Sequence, residues 1–139
     1  KSNFSFVMSE NCGIKFLIAE DEDSNYSYLE RVIRKKYGVG CMVRAKTGLE
    51  AIEILKANHG IAIILLDIKM PVMSGLEAVK HLKELNDRVP IIAITAYAMA
   101  GDKEMVFESG FDDYVAKPFE PNVIIEVITL NLEKYGIVL

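Results

Sequence analysis

The stretch Ile61-Ala62-Ile63-Ile64-Leu65-Leu66, followed by Asp67, decides the fold of this chain. Every residue before the aspartate is apolar, whereas a strand with one face in water alternates apolar and polar residues. A strand that is apolar on both faces is typical of the centre of a parallel sheet, where helices cover both sides. We therefore expect 61–66 to be a central strand with Asp67 directly after its carboxyl end.

Other short apolar segments lie on either side of this strand, and each is followed by a segment with helical periodicity. The further strands are predicted at 14–19, 41–45, 91–94 and 113–116. Strict alternation of strands and helices is typical of a parallel sheet with helices on both faces. Right-handed crossovers and five strands favour a flavodoxin-like (βα)5 doubly wound α/β fold with strand order 2-1-3-4-5.

Cap and breaker residues set the ends of the predicted helices. The first helix is expected at 24–37, with Ser24 as its N-cap and Gly38 after its last residue. Thr47 is expected to cap the second helix, which ends near residue 58. The remaining helices are predicted at 76–85, at 98–109 and after Pro121.

Length and composition indicate one domain and argue against several classes of partner. The chain has 139 residues, 51% hydrophobic and 26% charged, which suffices for one buried core. A net charge of −4 gives no electrostatic reason to expect direct contact with nucleic acid or an anionic membrane. No apolar run could span a bilayer and no signal-peptide pattern is present, so a cytoplasmic location is predicted.

The ends of the chain suggest how the domain is bounded. We expect a tail or linker at 1–13, one domain at 14–134 and a short C-terminal tail at 135–139. Because the chain starts with Lys1 rather than Met, a fragment of a longer parent is expected. Cys12 and Cys41 lack the spacing of a zinc site, and either a disulfide or two free thiols fits the sequence.

Polar residues collect where the predicted strands end. The run Glu20-Asp21-Glu22-Asp23 follows strand 1, Asp67 follows strand 3, Thr95 ends strand 4 and Lys117 follows strand 5. In doubly wound sheets, ligands bind beyond the carboxyl ends of the strands. One edge of the sheet is therefore expected to gather carboxylates, a hydroxyl and an ammonium group.

These groups together fit metal-assisted phosphoryl transfer. Clustered carboxylates repel each other unless a cation lies between them, and Mg²⁺ prefers oxygen ligands. A carboxylate beside the metal can attack phosphorus, while a lysine and a hydroxyl hold the phosphoryl oxygens. Taken singly, each residue has a simpler explanation as a solvated loop, a turn residue or a surface charge. Their joint placement at one edge is what favours the site.

Four segments resemble motifs of the response-regulator receiver domain of two-component signalling. They are the acidic pair in Ile18-Ala19-Glu20-Asp21-Glu22, the D-x-x-M-P-x-x-x-G spacing in 65–75, the hydroxyl site in Ala93-Ile94-Thr95-Ala96 and the lysine-proline motif in 113–119. The resemblance runs from about Ile14 to the last helix. It implies a phosphorelay domain that accepts a phosphoryl group from a histidine kinase or a histidine phosphotransfer domain, and that promotes its own phosphorylation and dephosphorylation.

The resemblance also implies which residues form the acceptor and the metal site. Asp67 would be the phosphoacceptor. Mg²⁺ would be held by the side chains of Asp21 and Asp67 and by the backbone carbonyl of Lys69. Glu20 would act on the metal through a bound water.

Further roles are implied for residues around the acceptor. Thr95 and Lys117 would hold the phosphoryl oxygens, and the bond between Lys117 and Pro118 is often cis in this family. Thr95 and Tyr114 would form a switch that changes the face made by strand 4, helix 4, strand 5 and helix 5. Lys69 and Tyr97 would tune the rate of hydrolysis.

The segments Ala98-Met99-Ala100-Gly101-Asp102-Lys103 and 108–114 look like receivers attached to hybrid sensor histidine kinases. This resemblance implies a fragment of a hybrid kinase, whose parent could be anchored in a membrane that this domain itself does not contact. A stand-alone single-domain regulator and a degenerate receiver acting by protein contacts alone remain the alternatives. Receivers often dimerise through the helix 4–strand 5–helix 5 face, so a homodimer is a further expectation.

Two other classes with related folds fit the sequence less well. A haloacid-dehalogenase-like phosphatase needs a second acid two residues after its nucleophile, where this chain has Lys69. A flavodoxin-like electron carrier needs a loop rich in hydroxyls and glycine after strand 1. The acids at 20–23 would instead repel a flavin phosphate.

Overall fold

The computed structural model describes residues 15–38, 42–96 and 100–137, along which strands and helices alternate. The strands are β1 Phe16–Ala19, β2 Met42–Ala45, β3 Ile63–Asp67, β4 Ile91–Thr95 and β5 Asp113–Ala116. The helices are α1 Asp23–Tyr37, α2 Gly48–Ala57, α3 Gly75–Leu85, α4 Ala100–Glu108 and α5 Pro121–Lys134. Within these ranges, no helix combines the length and apolar character that crossing a bilayer requires.

The described strands form one parallel sheet in the order β2-β1-β3-β4-β5. The predicted flavodoxin-like topology is confirmed, and β3 lies at its centre with all five residues buried. Parallel neighbours in register bring the carboxyl ends of the strands to the same edge. Ala19 pairs with Leu66, so Glu20 and Asp67 each lie one residue beyond that pair. Thr95 pairs with Ala116, which places Lys117 just beyond β4 and β5.

Alternate residues of β3 enter two separate apolar cores. Ile63 and Leu65 pack on the side covered by α1 and α5, together with Ile33 and Ile128. Ile64 and Leu66 pack on the opposite side, which α2, α3 and α4 cover. A strand buried on both faces needs apolar residues at every position, which explains the continuous run seen in the sequence.

Some predicted boundaries shift by one or two residues. β3 begins at Ile63 and includes Asp67 as its last residue, and α3 begins at Gly75. The prediction that Ser24 caps the first helix is wrong, because α1 begins at Asp23 and its N-cap residue, Glu22, makes no side-chain cap hydrogen bond. Thr47 does cap α2, accepting a hydrogen bond from the backbone N–H of Glu50 at 3.0 Å.

Several boundary predictions cannot be compared, since Ile14, Cys12, Cys41 and the segment 97–99 lie outside the described residues. At the other end, α5 stops at Lys134, where the predicted C-terminal tail begins. The peptide bond between Lys117 and Pro118 is cis, which confirms the expectation from the lysine-proline motif.

Gly75 lies where the loop after β3 returns to the end of the strand. A Cβ atom built on Gly75 would lie 2.5 Å from the backbone oxygen of Asp67 and 2.9 Å from the Cα of Ile68. The Gly75 N–H also donates to the Ile68 carbonyl oxygen at 2.9 Å. The glycine of the D-x-x-M-P-x-x-x-G spacing is therefore required because no side chain fits between this helix start and the strand end.

Candidate active site

A cleft opens at the carboxyl edge of the sheet, with a volume of about 390 Å³. It contains five of the site residues predicted from the sequence. Its lining residues are Asp21, Glu22, Asn25, Asp67, Lys69, Thr95, Ala96 and Lys117. Glu20 lies beside the cleft and reaches it through its contact with Lys117. The alignment of strand ends thus brings together groups that are up to 97 residues apart in sequence.

Three carboxylates meet in this cleft. Single oxygen atoms of Glu20, Asp21 and Asp67 all lie within 4.8 Å of one another. Glu20 is 1% exposed and Asp67 is 5% exposed, whereas Asp21 is open to solvent. Buried carboxylates at this spacing repel each other in their ionised forms, so the cluster is suited to a cation.

Lys117 partly neutralises the cluster. Its Nζ lies 2.9 Å from Asp67 Oδ2 and 3.1 Å from Glu20 Oε1. Burial opposes the charged ammonium, yet the hydrogen bonds with Asp67 and Glu20 prevail and raise the pKa of Lys117 above its ordinary value. Burial also raises the pKa of Glu20, and the nearby negative charge of Asp67 adds to that rise. Even when Lys69, which also lines the cleft, is counted with Lys117, the carboxylates of Glu20, Asp21 and Asp67 outnumber the ammonium groups, so negative charge remains in excess.

Backbone donors orient the two buried carboxylates in the same way. The N–H of Lys69 donates to Asp67 Oδ1 at 3.0 Å, and the N–H of Glu22 donates to Glu20 Oε2 at 3.1 Å. In each case the donor lies two residues after the acid. Each carboxylate therefore has one oxygen held by the backbone of its own loop and one held by Lys117.

The donor set fits a hard divalent cation such as Mg²⁺. Such ions take oxygen ligands and keep several waters, so one or two protein carboxylates suffice. Glu20, Asp21 and Asp67 supply carboxylate oxygens at one place, and the excess negative charge is what a divalent ion would offset. Sulfur and nitrogen ligands are absent from this cluster, which argues against zinc.

Thr95, which lines the cleft, and Tyr114 lie on neighbouring strands. Thr95 is 2% exposed at the end of β4, and its carbonyl oxygen accepts a hydrogen bond from the Lys117 N–H at 2.6 Å. Tyr114, on β5, is half-buried, with its ring edge-on to Phe107 of α4 at 6.3 Å between centroids. Tyr97 lies outside the described residues.

Arg44 is a contact residue of the site that sequence reasoning missed. It lies on β2, and its Nε donates to the backbone carbonyl oxygen of Glu20 at 3.0 Å. Its Nη1 pairs with the carboxylate of Asp23 at 2.8 Å. The one available signal was a charged residue inside an otherwise apolar strand, next to the acidic run in space but 24 residues away in sequence.

A second lysine–carboxylate cluster lies at the opposite edge of the sheet. Lys83 Nζ is 2.7 Å from Asp112 Oδ2 and 3.0 Å from the hydroxyl of Tyr135. The Tyr135 hydroxyl also donates to Asp112 Oδ1. Asp112 Oδ2 accepts a further bond from the Ile91 N–H at 2.8 Å. This cluster ties the ends of α3 and α5 to the starts of β4 and β5.

Two known proteins resemble this chain in sequence. The chain is 40% identical to hybrid signal transduction histidine kinase I of Dictyostelium discoideum over 129 aligned residues, which cover 87% of this chain and 7% of that relative. The chain therefore spans only a small part of that relative. It is also 36% identical to the polar-differentiation response regulator DivK of Brucella ovis, covering 81% of this chain and 90% of DivK.

A solved structure at 30% identity matches the fold as well. It is the receiver domain of a sensor histidine kinase from Pseudomonas aeruginosa, with a magnesium ion coordinated in its active-site cleft. The TM-score is 0.74, and the match covers 89% of this chain and 98% of that one. The family description of the response regulator receiver domain matches residues 16–129. This chain belongs to the response regulator receiver domain family of two-component signalling.

Proposed function

We propose that this domain accepts a phosphoryl group on Asp67 from a phosphohistidine of a histidine kinase or phosphotransfer protein, with Mg²⁺ as cofactor. The observation that carries the proposal is the Asp67 carboxylate itself. It is buried, it contacts Lys117 at 2.9 Å, and it lies within 4.8 Å of carboxylate oxygens of Glu20 and Asp21. Asp21, Asp67 and the backbone carbonyl of Lys69 would hold Mg²⁺, and Glu20 would act through a water.

The side chains of the cleft divide the chemistry among them. An oxygen of Asp67 attacks phosphorus, a P–O bond forms, and the P–N bond to the donor histidine breaks with its electron pair left on nitrogen. Lys117 and Thr95 hold oxygens of the transferred group. The bound metal would neutralise charge on that group during transfer.

The same residues can convert phosphorylation into a change of surface. The added charge attracts Thr95 and Lys117, which end β4 and follow β5. Tyr114 then moves inward as Thr95 vacates space, and the face made by β4, α4, β5 and α5 changes shape. Lys69 and Tyr97 would set how fast the phosphoryl group is hydrolysed.

The same face is the proposed output and dimer surface. It exposes apolar side chains on two helices, namely Phe107 on α4 and Val123 and Leu130 on α5. We expect a second copy or a downstream protein to bind there when Asp67 is phosphorylated. The likeness to the Dictyostelium kinase supports a receiver within a hybrid kinase, whereas the likeness to DivK supports a single-domain regulator, and we propose a cytoplasmic location for either.

The decisive experiment is intact-protein mass spectrometry after incubation with phosphoramidate or acetyl phosphate, with and without MgCl₂. Wild type should gain one phosphoryl group only when Mg²⁺ is present, and Asp67→Asn should gain none. Asp112→Asn is the matched control, because it alters the aspartate of the other lysine cluster. It should be phosphorylated like wild type.

Each other outcome has a defined meaning. Phosphorylation of Asp67→Asn at the wild-type rate would refute Asp67 as the acceptor. No gain in wild type with any donor would favour a degenerate receiver that works by protein contacts alone. If wild type does gain a phosphoryl group, transfer from a phosphorylated histidine phosphotransfer protein would test the proposed class of partner directly.

A further inference from the structure

The start of α1, directly after the loop that carries Glu20 and Asp21, has no side-chain N-cap hydrogen bond. α1 begins at Asp23, and Glu22 in the N-cap position makes no side-chain cap hydrogen bond. A side chain that accepts a hydrogen bond in the N-cap position usually stabilises a helix start. Local hydrogen bonds do act in this loop, from the Glu22 N–H to Glu20 Oε2 at 3.1 Å and from Asn25 to the Glu22 side chain at 2.7 Å, and a contact from elsewhere in the fold adds to them.

Arg44 on β2 supplies that contact from both sides of Asp21. Its Nε donates to the Glu20 carbonyl oxygen, directly before Asp21, at 3.0 Å. Its Nη1 binds the Asp23 carboxylate at 2.8 Å, and its guanidinium carbon lies 4.6 Å from the ring centroid of Tyr26. The planar, forked guanidinium can make these contacts at once, which a lysine ammonium cannot.

Just beyond the end of β1, the backbone of Glu20 is still bonded to β2, through the Arg44 guanidinium and through a backbone hydrogen bond. The Glu20 N–H donates to the carbonyl oxygen of Ala45, the last residue of β2, at 2.9 Å. With Arg44 on its carbonyl oxygen, Glu20 has both backbone groups held from β2. The Glu20 side chain is 1% exposed, so fixing its backbone also fixes where its carboxylate can point.

The arrangement is not the one expected if Arg44 only stabilised the fold. Its Nη2 is buried and has no hydrogen-bond partner in the part of the chain that the structure describes. A buried donor without a hydrogen-bond partner destabilises the folded chain. Asp23, its ion-pair partner, has a side chain that is 81% exposed, and exposed pairs contribute little stability.

We propose that Arg44 is a positioning residue for the metal site, which holds the β1–α1 loop so that Glu20 and Asp21 present their carboxylates to Mg²⁺. The inference rests on the proposed function, since it concerns the same metal. It assigns a role in that site to β2, an edge strand that contributes none of the proposed metal ligands.

Removal of Arg44 should change Mg²⁺ affinity in opposite directions, depending on whether its charge or its positioning role matters more. The positive charge of Arg44, close to the acids at 20–23, repels a cation, so its removal should strengthen Mg²⁺ binding if charge alone mattered. If Arg44 acts by position, its removal should weaken Mg²⁺ binding despite the lost repulsion. The sign of the change therefore separates the two explanations.

The test is an NMR titration of the apo domain with MgCl₂, following the backbone amides of Glu22 and Lys69. The variants are Arg44→Met, which removes both the positive charge and the forked guanidinium, and Arg44→Lys, which removes the guanidinium and keeps the charge. We expect both to bind Mg²⁺ about 10-fold more weakly than wild type, as is typical when a group that orients a metal ligand is lost. Amide exchange of Asp21 and Glu22 without metal should become faster in both.

Lys83→Met controls for the general loss of an ion pair, because it removes a cation from the opposite edge. It should lower stability and leave Mg²⁺ affinity unchanged. Tyr26→Leu gives a milder test if Arg44→Met does not fold, since it removes one contact of the guanidinium, changes no charge and keeps the bond to Glu20. It should weaken Mg²⁺ binding less than Arg44→Lys does.

The outcomes distinguish this inference from the proposed function. Tighter Mg²⁺ binding by Arg44→Met with unchanged binding by Arg44→Lys would overturn the positioning role while leaving the proposed function intact. Unchanged affinity in both variants would do the same. A wild-type chain without any Mg²⁺-dependent shift would overturn the inference and the proposed function together.

Discussion

Two lysines of this domain form partly buried ion pairs at opposite ends of the strands of the same sheet, and the two pairs differ in how completely their charges are balanced. Lys117 and Lys83 have side chains that are equally exposed, at 21% each. Lys117 faces the carboxylates of Glu20 and Asp67, with Asp21 close by. Lys83 faces one carboxylate, that of Asp112, and a tyrosine hydroxyl.

The comparison of the two lysines shows that charge is balanced around Lys83 and not balanced around Lys117. At the Lys83 edge, both oxygens of Asp112 accept hydrogen bonds and its charge is matched by one ammonium. At the Lys117 edge, negative charge exceeds positive charge, and burial raises the pKa of Glu20. A balanced cluster is expected to stabilise the fold, whereas an unbalanced one is expected to bind a cation.

The largest expected effect is a difference in phosphorylation rate between variants that lack one or the other lysine. Lys117→Met should slow phosphorylation by phosphoramidate on the order of 100-fold, the usual loss when one charge-stabilising donor is removed from a site. Lys83→Met should leave that rate within about twofold, since the other edge of the sheet does not touch the acceptor. Initial rates from intact mass measure both. Equal losses in the two variants would mean that the lysine edges are not functionally distinct.

Stability should change in opposite directions when each aspartate is neutralised. Asp112→Asn should lower the free energy of unfolding by about 2 kcal/mol, because Lys83 loses its charged partner. Asp67→Asn should raise it by about 1 kcal/mol, because like-charge repulsion with Glu20 disappears while Lys117 keeps Glu20 as a partner. Urea unfolding without Mg²⁺ measures both values. A destabilised Asp67→Asn variant would show that the acceptor cluster is balanced after all.

Added Mg²⁺ should stabilise only those proteins that keep all three carboxylates of the cluster formed by Glu20, Asp21 and Asp67. At a free concentration ten times its dissociation constant, a bound ion raises the free energy of unfolding by about 1.4 kcal/mol. Wild type and Asp112→Asn should gain this amount, and Asp67→Asn should gain much less. Thermal unfolding with MgCl₂ and with CaCl₂ provides the measurement. An equal gain in all three proteins would indicate non-specific binding to surface acids.

The smallest expected effect is the loss of the Lys83 contribution in alkaline solution. Burial opposes the Lys83 charge, but hydrogen bonds with Asp112 and Tyr135 raise the pKa of Lys83 above its ordinary value. Burial, followed by the hydrogen bond with Asp112, also raises the pKa of Tyr135. Both groups bind protons more tightly in the folded chain, so their contribution is complete below pH 10 and is lost as pH rises further.

The measurement compares wild type with Lys83→Met in urea at several pH values. Their difference in free energy of unfolding should shrink by less than about 1 kcal/mol between neutral pH and pH 11. Lys117 is present in both proteins, so its own titration cancels. A difference that grows with pH would contradict the sign derived for Lys83.

The sequence predicted the elements that depend on periodicity and on strand order. The apolar run before Asp67 indicated a strand buried on both faces, and alternation indicated a parallel sheet. Once these were fixed, the end of each strand indicated which residues would meet. Asp67, Glu20, Thr95 and Lys117 do meet, because parallel register places residues one beyond each strand pair side by side.

The sequence did not predict contacts made by long side chains between distant segments. Lys83 reaches Asp112 and Tyr135, which are 29 and 52 residues away, from positions that follow no strand end. Ser24 was expected as a helix cap from local preferences, but Asp23 pairs with Arg44 and the helix begins one residue earlier. Local rules cannot anticipate a tertiary partner that changes where a helix starts.

Gly75 has a consequence for how stiff the two sides of the cleft are. A methyl group on Gly75 would not fit against the backbone oxygen of Asp67, and the Gly75 N–H donates a hydrogen bond of 2.9 Å to the carbonyl oxygen of the next residue, Ile68. The end of β3 and the start of α3 therefore resist displacement relative to each other, and they hold the backbone of Asp67 in place. Strain from a bulky group on Asp67 must then be relieved on the other side, by the threonine hydroxyl and the long lysine side chain.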